Sequence, residues 1–191
     1  MSLVAGFVGT SRDDDGRLRP EIGWAVTDRV VRKRFHVGRS AFSGLPQLRP
    51  RKPIEPDLFD HLPVDGIGEF SLDLSYWAGD PAGLLGVEGL EELVLHECSQ
   101  LTSLAPLEGL RVPRLRVTQC RHLHDVRALA SMPVVELALW HLDALKDWSP
   151  VAELKGLRKL SIFGRGLPED WCGEHEGEAI ARIQAKLRDL G

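Results

Sequence analysis

The sequence predicts an α/β solenoid, in which short turns of chain stack side by side and join their strands into one parallel sheet. Two observations lead to this prediction. First, residues 90–109, LEELVLHECSQLTSLAPLEG, place apolar residues at intervals that fit neither a lone strand nor a lone helix throughout. Second, the same intervals recur from Val112 onward, and once more from Val134 onward. An internal repeat of this length indicates a stacked array of similar units.

The repeat becomes clear when its apolar positions are aligned. In the first full copy they are Leu90, Leu93, Leu95, Cys98, Leu101, Leu104 and Leu107. The second copy, VPRLRVTQCRHLHDVRALAS, has Leu115, Val117, Cys120, Leu123, Val126 and Leu129. The third copy, VVELALWHLDALKDWSPVAE, has Leu137, Leu139, Leu142, Leu145, Trp148 and Val151. Partial copies occur on both sides, with Ile67, Phe70 and Leu72 in IGEFSLDLS and with Leu157, Leu160 and Ile162 in LRKLSIFGR.

A single copy of the repeat cannot fold alone. Its few buried side chains do not offset the conformational entropy that is lost when the backbone of a whole copy is ordered. Stacked copies bury one another's inward residues, so a continuous core forms only when several lie in register. Leu93 and Leu95 alternate with Val94 and His96, which predicts a short strand with one inward and one outward face. The later residues of each copy turn the chain back across the outer side.

The repeats resemble a known family. The pattern Leu-x-x-Leu-x-Leu-x-x-Cys, followed by Leu-x-x-Leu-x-x-Leu, is similar to that of leucine-rich repeat proteins, with Cys98 and Cys120 where the family has Asn or Cys. LAPLEGL and WSPVAELKGL resemble the short bacterial repeats of internalin-like proteins, and CSQLTSL is similar to repeats of plant immune receptors. The resemblance covers residues 64–165. The sequence departs from it at Leu142, which replaces Cys or Asn, and at YWAGDPAG, an irregular outer segment.

The resemblance implies a curved solenoid whose short parallel strands lie on the concave face and bind another macromolecule. Strand alternation then gives the outward residues of five strands. They are Glu69, Ser71 and Asp73; Glu92, Val94 and His96; Arg114, Arg116 and Thr118; Glu136, Ala138 and Trp140; and Lys159, Ser161 and Phe163. All of them except Ser71, Ala138 and Ser161 are predicted to contact the partner.

Two aromatic residues stand out on this predicted face. Trp140 and Phe163 occupy the same column in adjacent turns, so they are expected to lie side by side. Exposed aromatic rings beside Arg116 have the composition of an interface centre, where rings and guanidinium groups dominate the binding energy. The alternative is that the C-terminal segment folds over both rings, because the ends of a solenoid must be capped.

The segments that flank the repeats are predicted to cap the array, which divides the chain into residues 1–63, 64–165 and 166–191. CGEHEGEAIARIQAKLRDLG places apolar residues at helical spacing, with acidic residues early and basic residues late. The apolar stripe of this C-terminal capping helix consists of Ile180, Ile183, Leu187 and Leu190. We expect the stripe to seal the last turn, with a partner-binding helix as the alternative.

Residues 1–63 lack the repeat and are predicted to hold an N-terminal β-hairpin. In EIGWAVTDRVVRKRFHV the apolar residues alternate on both sides of a turn near Asp28. They are Ile22, Trp24 and Val26, then Val31, Phe35 and Val37. The hairpin would cap the edge of the sheet, and a separate functional module is the alternative. The next stretch, GLPQLRPRKPIEP, is rich in proline and indicates a connector without a long regular element.

Charge divides at the same boundary. Residues 1–63 hold 11 Lys or Arg against 8 Asp or Glu, whereas residues 64–191 hold 13 against 20. The acidic repeat region argues against nucleic acid as its main ligand, because phosphate binding needs a basic surface. The basic run of Arg29, Arg32, Lys33 and Arg34 indicates a solvated strand face, with contact to an acidic partner as the alternative.

The protein is expected to be cytoplasmic and to have no membrane partner. The first residues, MSLVAGFVGTSRDDDG, lack the basic residues that precede the apolar run of a secretory signal. No stretch approaches the ~20 apolar residues of a membrane-spanning helix. Three cysteines in the whole chain do not make a disulfide framework.

Catalytic motifs are incomplete in this sequence. HECSQ begins like the His-Glu-x-x-His zinc motif, but it has Gln100 at the last position and lies on a predicted strand, where the motif needs a helix. The repeat points Cys98 inward, away from His96, which argues against a thiol–imidazole pair. Walker-type lysine loops, hydrolase elbows and dinucleotide fingerprints are missing from the sequence. The sequence therefore predicts no catalytic residue and no cofactor.

Metal motifs are incomplete as well. CRHLH and CGEH contain metal-binding residue types but lack paired Cys-x-x-Cys spacing, so no zinc site is predicted. The residues concerned are Cys120, His122, His124, Cys172 and His175. SRDDDG resembles a calcium loop, but Ser11 stands at its first ligand position and Ile22 at its twelfth, where Glu is required. It is interpreted as a polar hairpin turn.

The sequence favours a non-enzymatic module that binds another protein through its repeat surface. A short, acidic, solitary leucine-rich repeat protein resembles the immunity proteins of bacterial toxin systems, which bind and neutralise a cognate toxin, here a basic domain. A general adaptor or regulatory protein is the alternative. The rival class is a small enzyme, which would need a pocket that uses His96, His122 or His124.

Overall fold

The main body of the protein is one eight-stranded, mostly parallel sheet of short strands with turns and short helices between them. A computed structural model describes residues 3–12, 18–26, 35–51, 59, 62 and 69–189. The strands are β1 Leu3–Arg12, β2 Leu18–Val26, β3 Phe35–Arg39, β4 Pro46–Pro50, β5 Phe70–Asp73, β6 Leu90–His96, β7 Arg114–Thr118, β8 Glu136–Trp140, β9 Lys159–Phe163 and β10 Gly173–Glu176. The helices are α1 Ser149–Ala152, α2 Glu178–Arg188 and 3-10 helices at Pro81–Gly86, Ala105–Leu107, Arg127–Ser131 and Glu169–Trp171.

The strands of the sheet follow one another in chain order from β3 to β10. Neighbours from β4 to β9 are parallel, and β3 and β10 close the two edges as antiparallel strands. The register places Leu93 beside Leu115, Leu115 beside Leu137, and Leu137 beside Leu160. The predicted parallel pairing of the repeats is therefore confirmed, because equivalent leucines of successive copies lie in one row.

The chain leaves several parallel strands through a residue in the left-handed backbone region. Glu97, Gln119 and His141 have φ angles of 51°, 56° and 53°, and they stand at equivalent positions in successive copies. Their backbone N–H groups donate to the carbonyl oxygens of Thr118, Trp140 and Phe163 at the ends of the next strands. This conformation is costly for a side chain with a Cβ atom, yet it extends the hydrogen-bonded ladder by one residue beyond each strand.

Replacing Gln119 with glycine is expected to raise the free energy of unfolding by about 0.5–1 kcal/mol. Glycine adopts positive φ without the Cβ clash, and this gain exceeds the entropy that glycine loses on folding. The exposed Arg121 is not among the described residues with positive φ, so the matched change Arg121→Gly is expected to lower stability. Urea unfolding of both variants tests this. Equal losses of stability in the two variants would contradict it.

The outer turns carry a second periodic feature that sequence analysis missed. Asp80, Ser103, Asp125 and Asp147 each accept a hydrogen bond, through a side-chain oxygen, from the backbone N–H two residues later, at 2.9–3.0 Å. Each bond starts the short helix of its turn, as short polar side chains often do. The side-chain hydrogen bond from Arg127 holds the pKa of Asp125 well below its ordinary value. These polar positions recur in step with the leucines and fix the outer corner of each copy.

The inward residues of the repeats form one continuous core. Cys98, Cys120 and Leu142 are fully buried at equivalent positions, so the departure at Leu142 preserves the packing. The Cys98 thiol donates to the carbonyl oxygen of Leu74 at 3.2 Å. A hydrogen bond with Cys120, together with burial, raises the pKa of the Cys98 thiol. A buried, protonated thiol is a packing residue and is not suited to nucleophilic attack.

The predicted N-terminal hairpin pairs differently in the structure. β2, which contains Ile22, Trp24 and Val26, pairs antiparallel with β1 in a separate two-stranded sheet. β3, which begins at Phe35, pairs with β4. The prediction of one hairpin from these two strands is therefore wrong, because alternation identifies strands without identifying their partners. Val31, the turn near Asp28 and the basic run of residues 29–34 lie outside the described residues, as do Ile67 and the acidic residues 13–15.

Part of the predicted connector is a strand. β4 begins at Pro46 and ends at Pro50, so its two prolines stand at the ends, while the buried Leu48 stands in the middle. A missing backbone N–H is tolerated best at the end of a strand. Only residues 51, 59 and 62 are described in the stretch that follows, up to residue 68.

The C-terminal end closes the sheet with a strand and a helix. The predicted helix is confirmed from residue 178 onward, whereas residues 173–176, which the sequence placed in the same helical segment, form β10. Ile180, Ile183 and Leu187 are buried in the core of the protein's own fold, and Leu190 lies outside the described residues. The side chain of Gln184 donates to the carbonyl oxygens of Val151 and Leu154, which fixes α2 on the turn that contains α1.

The same sheet contains strands on both sides of residues 63 and 165, where the sequence suggested boundaries; the three-segment division stays a prediction. Among the described residues there is no helix with the length and apolar character that crossing a bilayer requires.

Candidate functional site

The candidate site is the face of the eight-stranded sheet opposite the leucine core. We call it the polar face. Its side chains are Gln47 and Arg49 on β4; Ser71 and Asp73 on β5; Glu92, Val94 and His96 on β6; Arg114, Arg116 and Thr118 on β7; Glu136, Ala138 and Trp140 on β8; Lys159, Ser161 and Phe163 on β9; and Glu174 and Glu176 on β10. Glu69, which was predicted with them, is exposed and precedes β5.

The predicted outward residues are on the polar face, but six of them are buried. They are Ser71, Asp73, Glu92, Val94, Ala138 and Ser161. Asp73, Glu92 and Val94 were predicted to face a partner, but their side chains are covered by the protein's own chain. Alternation fixes the face to which a side chain points, but it does not show what another segment places on top of that face. Of the remaining predicted residues on the strands, Phe163 is exposed and the rest are partly exposed: His96, Arg114, Arg116, Thr118, Glu136, Trp140 and Lys159.

Residues 40–45, between β3 and β4, cover part of the polar face. We call them the covering loop. The hydroxyl groups of Ser40 and Ser43 donate to Oε2 of Glu92 at 2.5 Å and 2.8 Å. The ring of Phe42 lies over the guanidinium group of Arg116, with 3.8 Å between the guanidinium carbon and the ring centre. The loop therefore extends past β5 and attaches to β6 and β7.

Glu92 is the anchor of the covering loop. Its side chain is fully buried and also accepts a hydrogen bond from Nε of Arg116 at 3.2 Å. Burial raises the pKa of Glu92, but hydrogen bonds from Ser40, Ser43, Ser71 and Arg116 outweigh it, so its pKa lies below the ordinary value. A buried carboxylate stays charged when it is paired and hydrogen-bonded in this way. Sequence analysis placed Glu92 in solvent and missed the loop; the closely spaced Ser40, Ser43 and Gly44 mark only a turn.

Charged residues of the polar face pair with one another along the sheet. Arg114 lies 3.4 Å from both Glu91 and Glu136, and Lys159 lies 3.8 Å from Glu176. On β4 and β5, Nε of Arg49 donates to Asp73 at 2.8 Å. No ion pair among the described residues involves Glu174. This carboxylate is exposed on β10, opposite Ser161 of β9.

The aromatic pair lies where the sequence predicted it. The rings of Trp140 and Phe163 meet edge to face, with centres 5.8 Å apart. The indole N–H of Trp140 donates to the hydroxyl of Ser161 at 2.9 Å, which fixes the ring over β9. Phe163 is 36% exposed. The alternative, in which the C-terminal segment covers both rings, is not what the structure shows. β10 extends the sheet at the edge of β9, with Gly173 opposite Ile162, and does not lie over the polar face.

A groove of about 220 Å³ lies between the covering loop and the aromatic pair. Its walls include Phe42 and Arg116 on one side, Trp140 and Lys159 on the other, and Glu174 at the edge strand. The rings of Phe42 and Trp140 supply its apolar surface, so the groove combines apolar surface with charged groups. Mixed linings of this kind are typical of binding sites, in which polar groups fix the orientation of the bound molecule.

The residues considered for metal binding and catalysis are dispersed. In the part of the chain that the structure describes, no group of three or more His, Cys, Asp or Glu side chains could hold a metal ion. Nδ1 of His96 is 2.7 Å from the hydroxyl of Thr118, and Nε2 of His175 is 2.9 Å from the carbonyl oxygen of Trp171. His122 and His124 are exposed. The lining of the groove includes none of these histidines.

No family model matches the sequence, and neither a curated protein nor a solved structure matches it.

Proposed function

We propose that this chain is a short leucine-rich repeat protein that binds another protein through the polar face. The repeated spacing of the leucines, the parallel register of equivalent residues and the burial at the Cys or Asn position support the family assignment. In such arrays each copy packs only on its neighbours, and the strand face forms a continuous recognition surface. The polar face is then the concave side of the solenoid.

One observation carries the binding proposal: the partly exposed Trp140 and the exposed Phe163 lie in contact beside a groove, on a face whose cations are paired with carboxylates. Trp140 and Phe163 are held by each other and by Ser161, so they lose little conformational freedom when a partner binds. Rigid aromatic groups near the centre of an interface contribute most of its binding energy. Neighbouring ion pairs between Arg114 and Glu136 and between Lys159 and Glu176 would form a polar rim.

The specific form of the proposal is an immunity protein that neutralises a cognate basic toxin. The repeat region and C-terminal segment hold 20 Asp or Glu against 13 Lys or Arg, which favours a basic partner by electrostatic complementarity. The same surface would also serve an adaptor or regulatory protein. The identity of the captured partner separates these two outcomes. The support for an enzyme is weaker, because neither His122 nor His124 is in the groove. His124 lines a separate, open hollow of about 350 Å³ on the outer turns, together with Asp125 and Arg127, and these two side chains are already paired with each other.

Replacing Phe163 with alanine is expected to remove the partner from the proteins captured in an extract of the native cell. Truncating a central aromatic anchor typically costs about 2 kcal/mol or more of binding energy. The control is Leu85→Ala, which truncates a side chain that is 50% exposed and lies outside the polar face. Arg116 is left intact, because its removal would leave Glu92 buried without its cation.

The outcomes of this capture are distinct. A partner that is retained by the wild type and by Leu85→Ala but lost by Phe163→Ala supports binding through the polar face. If that partner is a basic toxin whose activity is blocked in the complex, the immunity function is supported. If all three proteins retain the partner equally, the interface lies outside the polar face. If the wild type captures no protein, the binding function is rejected.

A further inference from the structure

We propose that the groove receives an arginine side chain of the partner protein, which stacks on Trp140 and forms an ion pair with Glu174. This inference rests on the proposed protein-binding function and specifies the partner's chemistry at one point. Three features support an arginine: the size of the groove, the unpaired carboxylate of Glu174, and the aromatic rings of Trp140 and Phe42.

The size of the groove fits one side chain. Its volume is about 220 Å³. An engineered protein cavity of about 150 Å³ holds benzene, whereas sites for cofactors and drug-sized ligands measure about 300–1,000 Å³. The groove is therefore large enough for one long or aromatic side chain and too small for a typical cofactor. A single anchor residue that enters a pocket at the centre of an interface is a common arrangement in protein complexes.

The pairing of charges around the groove favours a cationic anchor. The lining holds Arg114, Arg116 and Lys159 as well as Glu136 and Glu174, and of these only Glu174 has no ion-pair partner among the described residues. From β6 to β10 the polar face carries three cations, and each has a carboxylate partner. The pairs are Arg114 with Glu136, Arg116 with Glu92, and Lys159 with Glu176. Glu174 is the fourth carboxylate of this face, and none of the described ion pairs includes it. A cation from the partner protein would give Glu174 an ion pair. A carboxylate from the partner protein would instead have to displace a carboxylate that already pairs with one of the three cations.

The rings of the groove favour a planar cation over a lysine ammonium group. The face already stacks one guanidinium group on an aromatic ring, in the contact between Arg116 and Phe42. Trp140 offers the stronger aromatic surface for the same interaction. Its indole is fixed by Ser161, which in turn lies opposite Glu174. An arginine in the groove would therefore reach a ring and a carboxylate together, and its fork of donors matches a carboxylate geometrically.

The test uses the full chain and a defined probe, the peptide acetyl-Gly-Arg-Gly-amide. The chain has five tryptophans, so the indole N–H resonances are recorded in an ¹⁵N-labelled sample and that of Trp140 is identified with Trp140→Phe. We expect the peptide to shift the Trp140 resonance saturably, with a Kd on the order of 1 mM for an isolated anchor. The peptide that carries citrulline, which is neutral and similar in shape, is expected to bind at least about tenfold more weakly.

The matched variants are Glu174→Gln and, as a control, Glu108→Gln, which alters an exposed carboxylate on an outer turn. We expect Glu174→Gln to weaken the arginine peptide about three- to tenfold and Glu108→Gln to leave the Kd unchanged. Equal binding of the arginine and citrulline peptides, or an unchanged Kd in Glu174→Gln, would contradict the proposed ion pair between the arginine and Glu174. If the peptide acetyl-Gly-Glu-Gly-amide bound more tightly than the arginine peptide, the groove would be assigned to an acidic anchor instead.

Failure of this inference is distinguishable from failure of the proposed function. If no peptide shifts Trp140 at up to about 20 mM, the arginine anchor is rejected. If Phe163→Ala still loses a captured partner, binding through the polar face stands with a different anchor. If the arginine peptide binds but the wild type captures no protein, the groove has the stated chemistry while the protein-binding function is rejected.

Discussion

Replacing Glu92 with glutamine is expected to lower the free energy of unfolding by about 3–5 kcal/mol at neutral pH, because the change removes one partner of a buried ion pair. The carboxylate of Glu92 is fully buried and holds three groups, namely Ser40, Ser43 and Arg116. Glutamine keeps the shape of the side chain but loses the charge, so Arg116, which is only 17% exposed, is left without its counter-ion. Urea unfolding measures the loss directly.

The effect of this substitution should depend on pH. The pKa of Glu92 lies below its ordinary value, so the stability that it contributes is present above the unfolded-state pKa of about 4.3 and is lost as the pH falls through the folded-state pKa. The difference between wild type and Glu92→Gln should therefore narrow steadily below about pH 4. Glu136→Gln is the control, since Glu136 is 35% exposed and its pair with Arg114 should contribute less than about 1 kcal/mol. A loss below about 1 kcal/mol in Glu92→Gln, or a gap that does not change with pH, would contradict the anchoring role.

Replacing Leu115 with alanine is expected to lower the free energy of unfolding by about 3–5 kcal/mol, because it opens a cavity in a core that cannot collapse freely. Leu115 is fully buried at β7. It lies between Leu93 and Leu137, its equivalents in the neighbouring copies. In a stacked array a central residue supports two interfaces, so its loss weakens the contacts on both sides.

The measurement for Leu115→Ala is urea unfolding, with Leu85→Ala as the matched control. The same chemical change at a half-exposed side chain should alter stability by no more than about 0.5 kcal/mol. Similar losses in the two variants would show that the leucine rows do not form the continuous core that the register indicates.

The structural features that repeat from copy to copy could be predicted from the sequence alone. A nearly constant period places equivalent residues in adjacent strands, so the parallel leucine rows and the contact between Trp140 and Phe163 both follow from counting. The burial of Cys98 and Cys120 follows from the same count. These predictions hold because each depends on neighbouring copies, and neighbours in an array are neighbours in sequence by a fixed step.

The features that do not repeat could not be predicted in this way. Ser40 and Glu92 are far apart in the chain and belong to no common period, so their contact gives no sequence signal. The partner of β2 could not be predicted either, because alternation identifies a strand without identifying the strand that pairs with it. The edge strand β10 was missed because a short polar segment is defined as a strand by the partner that it finds. The polar face was consequently assigned to the correct side of the sheet while its coverage was missed.

The covering loop also limits how the number of repeats in this protein could change. It extends from β4 past β5 to Glu92 on β6 and Arg116 on β7, so the distance from the N-terminal edge to these two strands is fixed. An additional copy of the repeat inserted before β6 would carry Glu92 away from Ser40 and Ser43. A copy inserted after β7 would leave that attachment intact and would change only the strands that lead to the C-terminal end. We therefore expect a change in the number of repeats to be tolerated after β7 and not between β4 and β6.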